Sequence, residues 1–195
     1  GDLDLTQLMN GANLNFLRLN YLVGEHSSGW VTQNQSGLVD REYFDINNDG
    51  ISDYVDTYLE IPTRIRVWIG KETGGYYLSQ EFYYGDVNNR GYLLKSGDFN
   101  GDEWTDFIIA GSGKPLVFIN QQGTFVEGAS FPNHYTRVRD IEPADLDGDR
   151  DLDLVLHGAF YRSTPEIWEN DGAGNFTLAW ISPSPHIYTG NSVEV

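Results

Sequence analysis

Cysteine is absent from this 195-residue chain. Without thiols there are no disulfides and no thiol catalysis, although the cellular compartment stays open. Positive charge is scarce: 12 Lys and Arg face 29 Asp and Glu, for a formal net charge of −17. Such acidity argues against nucleic acid and against anionic membrane surfaces as partners. No run is long and apolar enough for membrane insertion, and no secretory leader is legible, so the opening Gly1-Asp2-Leu3-Asp4-Leu5 reads as a mature start or a cut end. Catalytic patterns are thin. The histidines His26, His134, His157 and His186 stand singly without metal-ligand spacing, and no Gly-x-Ser-x-Gly elbow occurs, Gly111-Ser112-Gly113 being a turn. No segment carries a convincing helical period. What is present is a chain 39% hydrophobic and 14% aromatic, enough to bury a core, with 22 glycines that imply many turns.

The acidity is concentrated in three loops. Asp145-Leu146-Asp147-Gly148-Asp149-Arg150-Asp151-Leu152-Asp153 is followed by the apolar Leu154-Val155-Leu156. Asp45-Ile46-Asn47-Asn48-Asp49-Gly50-Ile51-Ser52-Asp53 precedes Tyr54-Val55, and Asp98-Phe99-Asn100-Gly101-Asp102-Glu103-Trp104-Thr105-Asp106 precedes Phe107-Ile108-Ile109. Oxygen-bearing side chains at alternate positions of a tight loop are what a hard cation such as Ca²⁺ selects. Three divalent ions would bring the net charge from −17 to about −11, so the acidity reads as a metal signature rather than a partner signature. An EF-hand shares the opening but needs glycine at position 6, an acid at position 12 and flanking helices. Position 6 is Gly50, Glu103 and Arg150, and position 12 is Asp56, Ile109 and Leu156; only the first loop passes, and strands follow all three.

The loops mark a repeat. Their last aspartates, Asp53, Asp106 and Asp153, are 53 and 47 residues apart, and a step of 49 toward the N-terminus lands on Asp4. Residues 1–5 therefore read as the tail of a truncated repeat. Between loops, alternation predicts strands at Asn15–Asn20, Arg64–Ile69, Leu116–Asn120 and Glu166–Asn170. Glycine turns at Gly74-Gly75, Gly123 and Gly172-Ala173-Gly174 lead to strands at Tyr76–Leu78, Thr124–Val126 and Phe176–Trp180. Strands at Leu38–Phe44, Tyr92–Lys95 and Thr136–Ile141 enter the loops, and others at Phe107–Ala110 and Leu154–His157 leave them. Four short antiparallel strands per repeat of about fifty residues is the plan of a β-propeller blade. The fold class is all-β, with about four repeats over residues 1–195 and no internal domain boundary. The segment His186–Val195 reads as a spare entering strand that completes the first blade; the alternative is a larger propeller, with further repeats or a second chain completing the ring.

Loops, repeat length and strand plan together resemble the FG-GAP/VCBS family, the calcium-loop β-propeller repeat of integrin α-subunit heads, propeller lectins and many secreted bacterial proteins. The motifs carrying the resemblance are Asp45–Val55, Asp98–Ile109 and Asp145–Leu156, with glycine-containing exits at Gly111 and Gly158-Ala159. In a strand-flanked loop of this kind the expected Ca²⁺ ligands are side chains at positions 1, 3, 5 and 9 and the backbone carbonyl at 7. These are Asp45, Asn47, Asp49, Ile51 and Asp53; Asp98, Asn100, Asp102, Trp104 and Asp106; and Asp145, Asp147, Asp149, Asp151 and Asp153. The third loop, with four carboxylates among its ligand side chains, is expected to bind tightest. The role of about three Ca²⁺ ions is structural, and their usefulness at millimolar Ca²⁺ points to an extracellular or secreted setting, the periplasm and cell surface included.

A second grouping is aromatic: Tyr76, Tyr77, Phe82, Tyr83 and Tyr84, near Asn88, Asn89, Arg90 and Tyr92. Flat rings beside amides and carboxylates suit sugar rings; the plainer reading is packing between blades. Trp30, Trp104, Trp168 and Trp180 carry the same ambiguity, with Trp168 read as packing. The functional expectation is a calcium-stabilised recognition and adhesion module for a glycan or a cell-surface protein, presented on loops 70–76, 84–92 and 128–136. Two alternatives stand beside it. One is part of a calcium-dependent propeller polysaccharide lyase, with Arg137 and Arg139 as candidates to act beside a calcium-bound uronate; the other is a structural repeat in a larger secreted or toxin-like protein.

Overall fold

A computed structural model describes residues 37–86, 90–131, 137–158 and 165–182. The chain groups into two compact units, Gly1–Asn34 and Gln35–Val195, and the described residues all lie in the second. Expectations for the truncated repeat, the strand at Asn15–Asn20 and the closing strand at His186–Val195 fall outside them. So do Trp30, His26, His134, His186, Asn88, Asn89 and the exit residue Ala159.

Among the described residues there are twelve strands and no helix. They form three four-stranded antiparallel sheets, each a sequential meander. The first blade has β1 (Leu38–Phe44), β2 (Asp53–Tyr58), β3 (Thr63–Gly70) and β4 (Tyr76–Tyr84). The second has β5 (Gly91–Gly97), β6 (Asp106–Gly111), β7 (Leu116–Asn120) and β8 (Phe125–Ser130). The third has β9 (Val138–Ala144), β10 (Asp153–Gly158), β11 (Glu166–Asn170) and β12 (Phe176–Ile181). Each strand predicted from alternation within these residues is present. β4 continues past its predicted end at Leu78 as far as Tyr84, because Gln80, Phe82 and Tyr84 go on pairing with β3 across an irregularity between Val67 and Trp68.

Strand alternation supplies each sheet with two faces, and the faces of successive blades stack. Val55, Ile65, Val67, Ile69 and Tyr84 of the first blade meet Leu94, Phe107, Ile109, Phe118 and Phe125 of the second. Ile108, Ala110 and Val117 on the second blade's other face meet Ile141, Leu154, Leu156 and Trp168 of the third. The middle strands β2, β6 and β10 are buried along their whole length, as strands covered on both faces must be. Aromatic rings fill the junctions: Phe107 stacks on Phe118 at 4.7 Å and meets Phe125 edge-on at 4.8 Å, while Phe131 meets Trp168 edge-on at 5.0 Å. The packing reading of Trp168 is thus the one realised.

The first strands of successive blades adjoin and are tied by polar contacts. Leu94 N donates to Asp40 Oδ2 at 3.0 Å, Ser96 Oγ to Glu42 Oε1 at 3.1 Å, and Lys95 Nζ to Glu142 Oε2 at 3.3 Å. Burial raises the Glu42 carboxyl above its usual range, against the lowering effect of its Ser96 hydrogen bond.

Phe107 is fully buried between two further rings, so truncation leaves a cavity that the stacked sheets cannot collapse to fill. Phe107→Ala is expected to lower the unfolding free energy by about 3–5 kcal/mol, measured by urea denaturation. A loss below about 1 kcal/mol would show that this junction is not the core.

Candidate metal centre

Each acidic loop joins the first and second strands of its blade, so all three occupy the same place in the repeat. Their internal hydrogen bonds repeat nearly atom for atom. The position-1 carboxylate accepts from backbone N–H groups deeper in the loop. Asp45 accepts from Asp49 N and Gly50 N at 3.1 and 2.8 Å, Asp98 from Gly101 N and Glu103 N at 2.8 Å each, and Asp145 from Gly148 N and Arg150 N at 2.7 and 3.2 Å. The position-3 oxygens of Asn47, Asn100 and Asp147 accept from the N–H at position 5, at 3.2, 3.2 and 3.1 Å. Position 5 accepts from position 7: Ile51 N to Asp49, Trp104 N to Asp102, and Asp151 N to Asp149, at 2.8–2.9 Å.

These turns wind the chain so tightly that positions 4 and 6 both take left-handed backbone. Position 4 has φ of 55° at Asn48, 71° at Gly101 and 87° at Gly148; position 6 has 81° at Gly50, 69° at Glu103 and 84° at Arg150. Glycine at position 6 is therefore dispensable here, although Glu103 and Arg150 adopt a conformation that L side chains disfavour.

In the third loop the winding brings Asp145, Asp147 and Asp149 together, with one carboxylate oxygen of each within 4.8 Å of the others, all three residues exposed. Oxygens ligating one Ca²⁺ at about 2.4 Å stand no farther apart than about 4.8 Å. The donor set therefore fits a hard divalent cation in its chemistry and its spread. In the other loops Asn47 and Asn100 take position 3, and their amide nitrogens donate to Asp49 and Asp102 at 2.9 and 3.0 Å. Burial and the surrounding carboxylates Asp149, Asp147, Asp153 and Asp145 together raise the Asp151 side chain above the usual carboxylate range.

The position-9 aspartates are placed differently. Asp53, Asp106 and Asp153 are buried, and each carboxylate accepts two backbone N–H groups. One comes from position 2 of its own loop (Ile46, Phe99 and Leu146, at 2.8, 2.9 and 2.9 Å). The other comes from the end of the third strand (Gly70, Asn120 and Asn170, at 2.7, 2.7 and 2.9 Å). Burial pushes the Asp106 carboxyl up to about 6, against the two N–H groups that favour its ionised form, and raises Asp53 for the same reason. These side chains fasten the loop to the sheet, a role that their spacing in the sequence did not distinguish from ligation.

The aromatic grouping is divided by strand alternation. Phe82 packs on Phe118 at 5.1 Å, and Tyr84 is buried with its hydroxyl donating to Lys114 O. Tyr76, Tyr77 and Tyr83 are exposed, Tyr83 donating to Glu81 at 2.8 Å and Tyr77 lying beneath Lys71. Trp180 is exposed on β12 and Trp104 is half-buried. Arg137 donates to the Tyr92 hydroxyl and lies over its ring.

One cluster carried no sequence signal. Arg41 of β1 pairs with Asp56 of β2 at 2.8 Å, and Asp56 also accepts from Tyr58 at 3.0 Å and Trp68 Nε1 at 3.3 Å. The guanidinium lies 4.1 Å from the Tyr54 ring centroid. Fifteen residues separate the pair in sequence, and only the β1–β2 register sets them opposite each other.

Stacked four-stranded meanders with an acidic hairpin loop at one end of each define a blade-type β-repeat protein. Residues 98–156 match the family model of the FG-GAP-like repeat, so this stretch, from the second acidic loop through the third, is an FG-GAP-like repeat. Such repeats are typical of extracellular proteins, and among the described residues no helix is long and apolar enough to cross a membrane. No curated protein matches the chain.

Because both Asp106 oxygens face N–H donors, an amide there would set its own NH₂ against one of them. Asp106→Asn is expected to cost about 1–3 kcal/mol even in excess chelator, measured by thermal unfolding. A cost that appears only in Ca²⁺ would show that position 9 acts through a cation alone.

Proposed function

We propose that the blades form a calcium-stabilised extracellular recognition module. The observation that carries the calcium reading is the convergence of Asp145, Asp147 and Asp149. Three exposed carboxylates at this spacing repel one another, and a divalent cation between them supplies the positive charge that relieves it. Asp45, Asn47 and Asp49, and Asp98, Asn100 and Asp102, hold the corresponding positions in the other loops, with the position-7 carbonyls of Ile51, Trp104 and Asp151 and the position-9 carboxylates of Asp53, Asp106 and Asp153 completing each set. About three Ca²⁺ ions fit this arrangement, and their role is to hold the hairpins rather than to react. The third loop, the richest in carboxylates, binds most tightly.

The ligand class is carbohydrate. Supporting it are the exposed rings of Tyr76, Tyr77, Tyr83 and Trp180 on the outer strands β4 and β12, where a flat apolar face is open to a sugar and carboxylates such as Glu81 stand nearby. A cell-surface protein is the other partner this surface would serve.

Asp149→Ala removes one ligand from the third loop without touching the core. Its melting temperature should fall much more in millimolar Ca²⁺ than in EDTA; equal shifts in both would sink the calcium reading of that loop. A glycan array, run in Ca²⁺ and again in EDTA, tests recognition. Discrete hits that chelation abolishes are expected, and a blank array from folded protein would turn the ligand reading toward a protein partner.

A further inference from the structure

The asparagines that end β7 and β11 each touch two acidic loops. Asn120 Nδ2 donates to Ile46 O at 2.8 Å, position 2 of the first loop, and to Thr105 O at 3.1 Å, position 8 of the second. Asn170 Nδ2 repeats this one blade on, donating to Phe99 O at 2.8 Å in the second loop and to Leu152 O at 3.1 Å in the third. Both residues are buried, and both amide oxygens are held by turn glycines, Gly123 N at 2.7 Å and Gly174 N at 3.2 Å.

These contacts join a longer line. Ile46 donates its N–H to Asp53 and accepts Asn120 at its carbonyl; Asn120 donates its own N–H to Asp106; Asp106 accepts Phe99 N. From Phe99 O the line continues through Asn170 to Asp153 and Leu146 N. A single run of hydrogen bonds thus passes through all three loops. The turns it anchors also lie on the candidate ligands: a Cβ at Gly123 would stand 3.5 Å from Asn47 Cβ, and one at Gly174 would stand 3.8 Å from Asn100 Cβ. Ordering one loop fixes its position-2 or position-8 carbonyl, hence the bridging amide, hence the neighbouring loop. Bonds in such a run polarise and order one another.

We infer that Asn120 and Asn170 couple the three loops, so that cation binding is cooperative along the blades and each site also sets its junction with the next blade. This rests on the reading of the loops as calcium sites. By linkage the coupling is reciprocal: filling the third loop tightens the second as much as the reverse.

Trp104 lies inside the second loop and gives a local readout. Tb³⁺, which takes Ca²⁺ sites, would be titrated into the full chain while luminescence sensitised through Trp104 is followed, with Trp104→Phe as the control that assigns the signal. Disabling the third loop with Asp145→Asn and Asp149→Asn should weaken binding at the second by about fivefold or more. In an Asn170→Ala background the same pair of changes should weaken it by less than about twofold. The parallel cycle pairs Asp45→Asn and Asp49→Asn with Asn120→Ala, so the inference stays testable if one asparagine variant does not fold. An equal loss with and without the asparagine would mean that the loops sense each other only through long-range charge, and would overturn the coupling. So would no loss at all. Absence of any Trp104-sensitised signal in the folded protein would overturn the calcium reading together with the coupling, whereas normal binding by independent loops overturns the coupling alone.

Discussion

The buried aspartate at the end of each loop is the constraint on which the other contacts depend. Asp53, Asp106 and Asp153 each accept one N–H from the start of the loop and one from the end of the third strand. Taking a carboxylate out of water is costly unless its oxygens are occupied, and two well-aligned N–H groups offset much of that cost. The raised Asp106 shows the remainder. A nearby divalent cation would act in the opposite sense, favouring the ionised form. The loop is thus fastened to its sheet by a charge that the fold alone accommodates incompletely, with further carboxylates in the same turn. That combination favours a cation more strongly than the exposed acids would alone.

Fastening the loop also fixes what can lie beside it. With position 2 held from below, its carbonyl points toward the following blade, where the asparagine amide meets it. The apolar faces of the sheets provide the bulk of the attraction between blades, and this polar contact fixes how they are aligned. Aliphatic and aromatic side chains tolerate sliding; a buried amide with all its partners in place does not.

Much of this was legible in the sequence, and the parts that were not share a physical cause. Strand alternation and glycine turns placed the strands from Leu38 to Ile181, because each depends on neighbours within a few residues. The acidic loops were legible for the same reason. The position-9 aspartates were visible as members of the motif, yet spacing cannot say whether a carboxylate faces a cation or a backbone N–H. Asn120 and Asn170 were legible only as the last residues of predicted strands, since their partners Ile46 and Phe99 lie 74 and 71 residues away. The aromatic run Tyr76–Tyr84 read as one patch, but on a strand its members must part to opposite faces, which sent Phe82 and Tyr84 to the core and left Tyr83 outside.

The same comparison across blades separates the first from the other two. The positions held by Arg41, Tyr54, Asp56 and Trp68 in the first blade are Leu94, Phe107, Ile109 and Phe118 in the second, and Ile141, Leu154, Leu156 and Trp168 in the third. An apolar face that receives a preceding blade is replaced by an ion pair among aromatic rings. The bridging asparagine is missing at the same blade, where Gly70 stands in place of Asn120 and Asn170. A side chain could not simply be restored there, because a Cβ on Gly70 would lie 2.7 Å from the Ile51 side chain and 2.8 Å from Ser52 O. Both devices that join a later blade to its predecessor are therefore altered together, on one side of one sheet. Asp56 accepts from Arg41, Tyr58 and Trp68, so this face carries a buried, hydrogen-bonded charge pair where the later blades have only aliphatic and aromatic side chains. The first blade thus differs from the other two in the chemistry of that face, and not merely in its place along the chain.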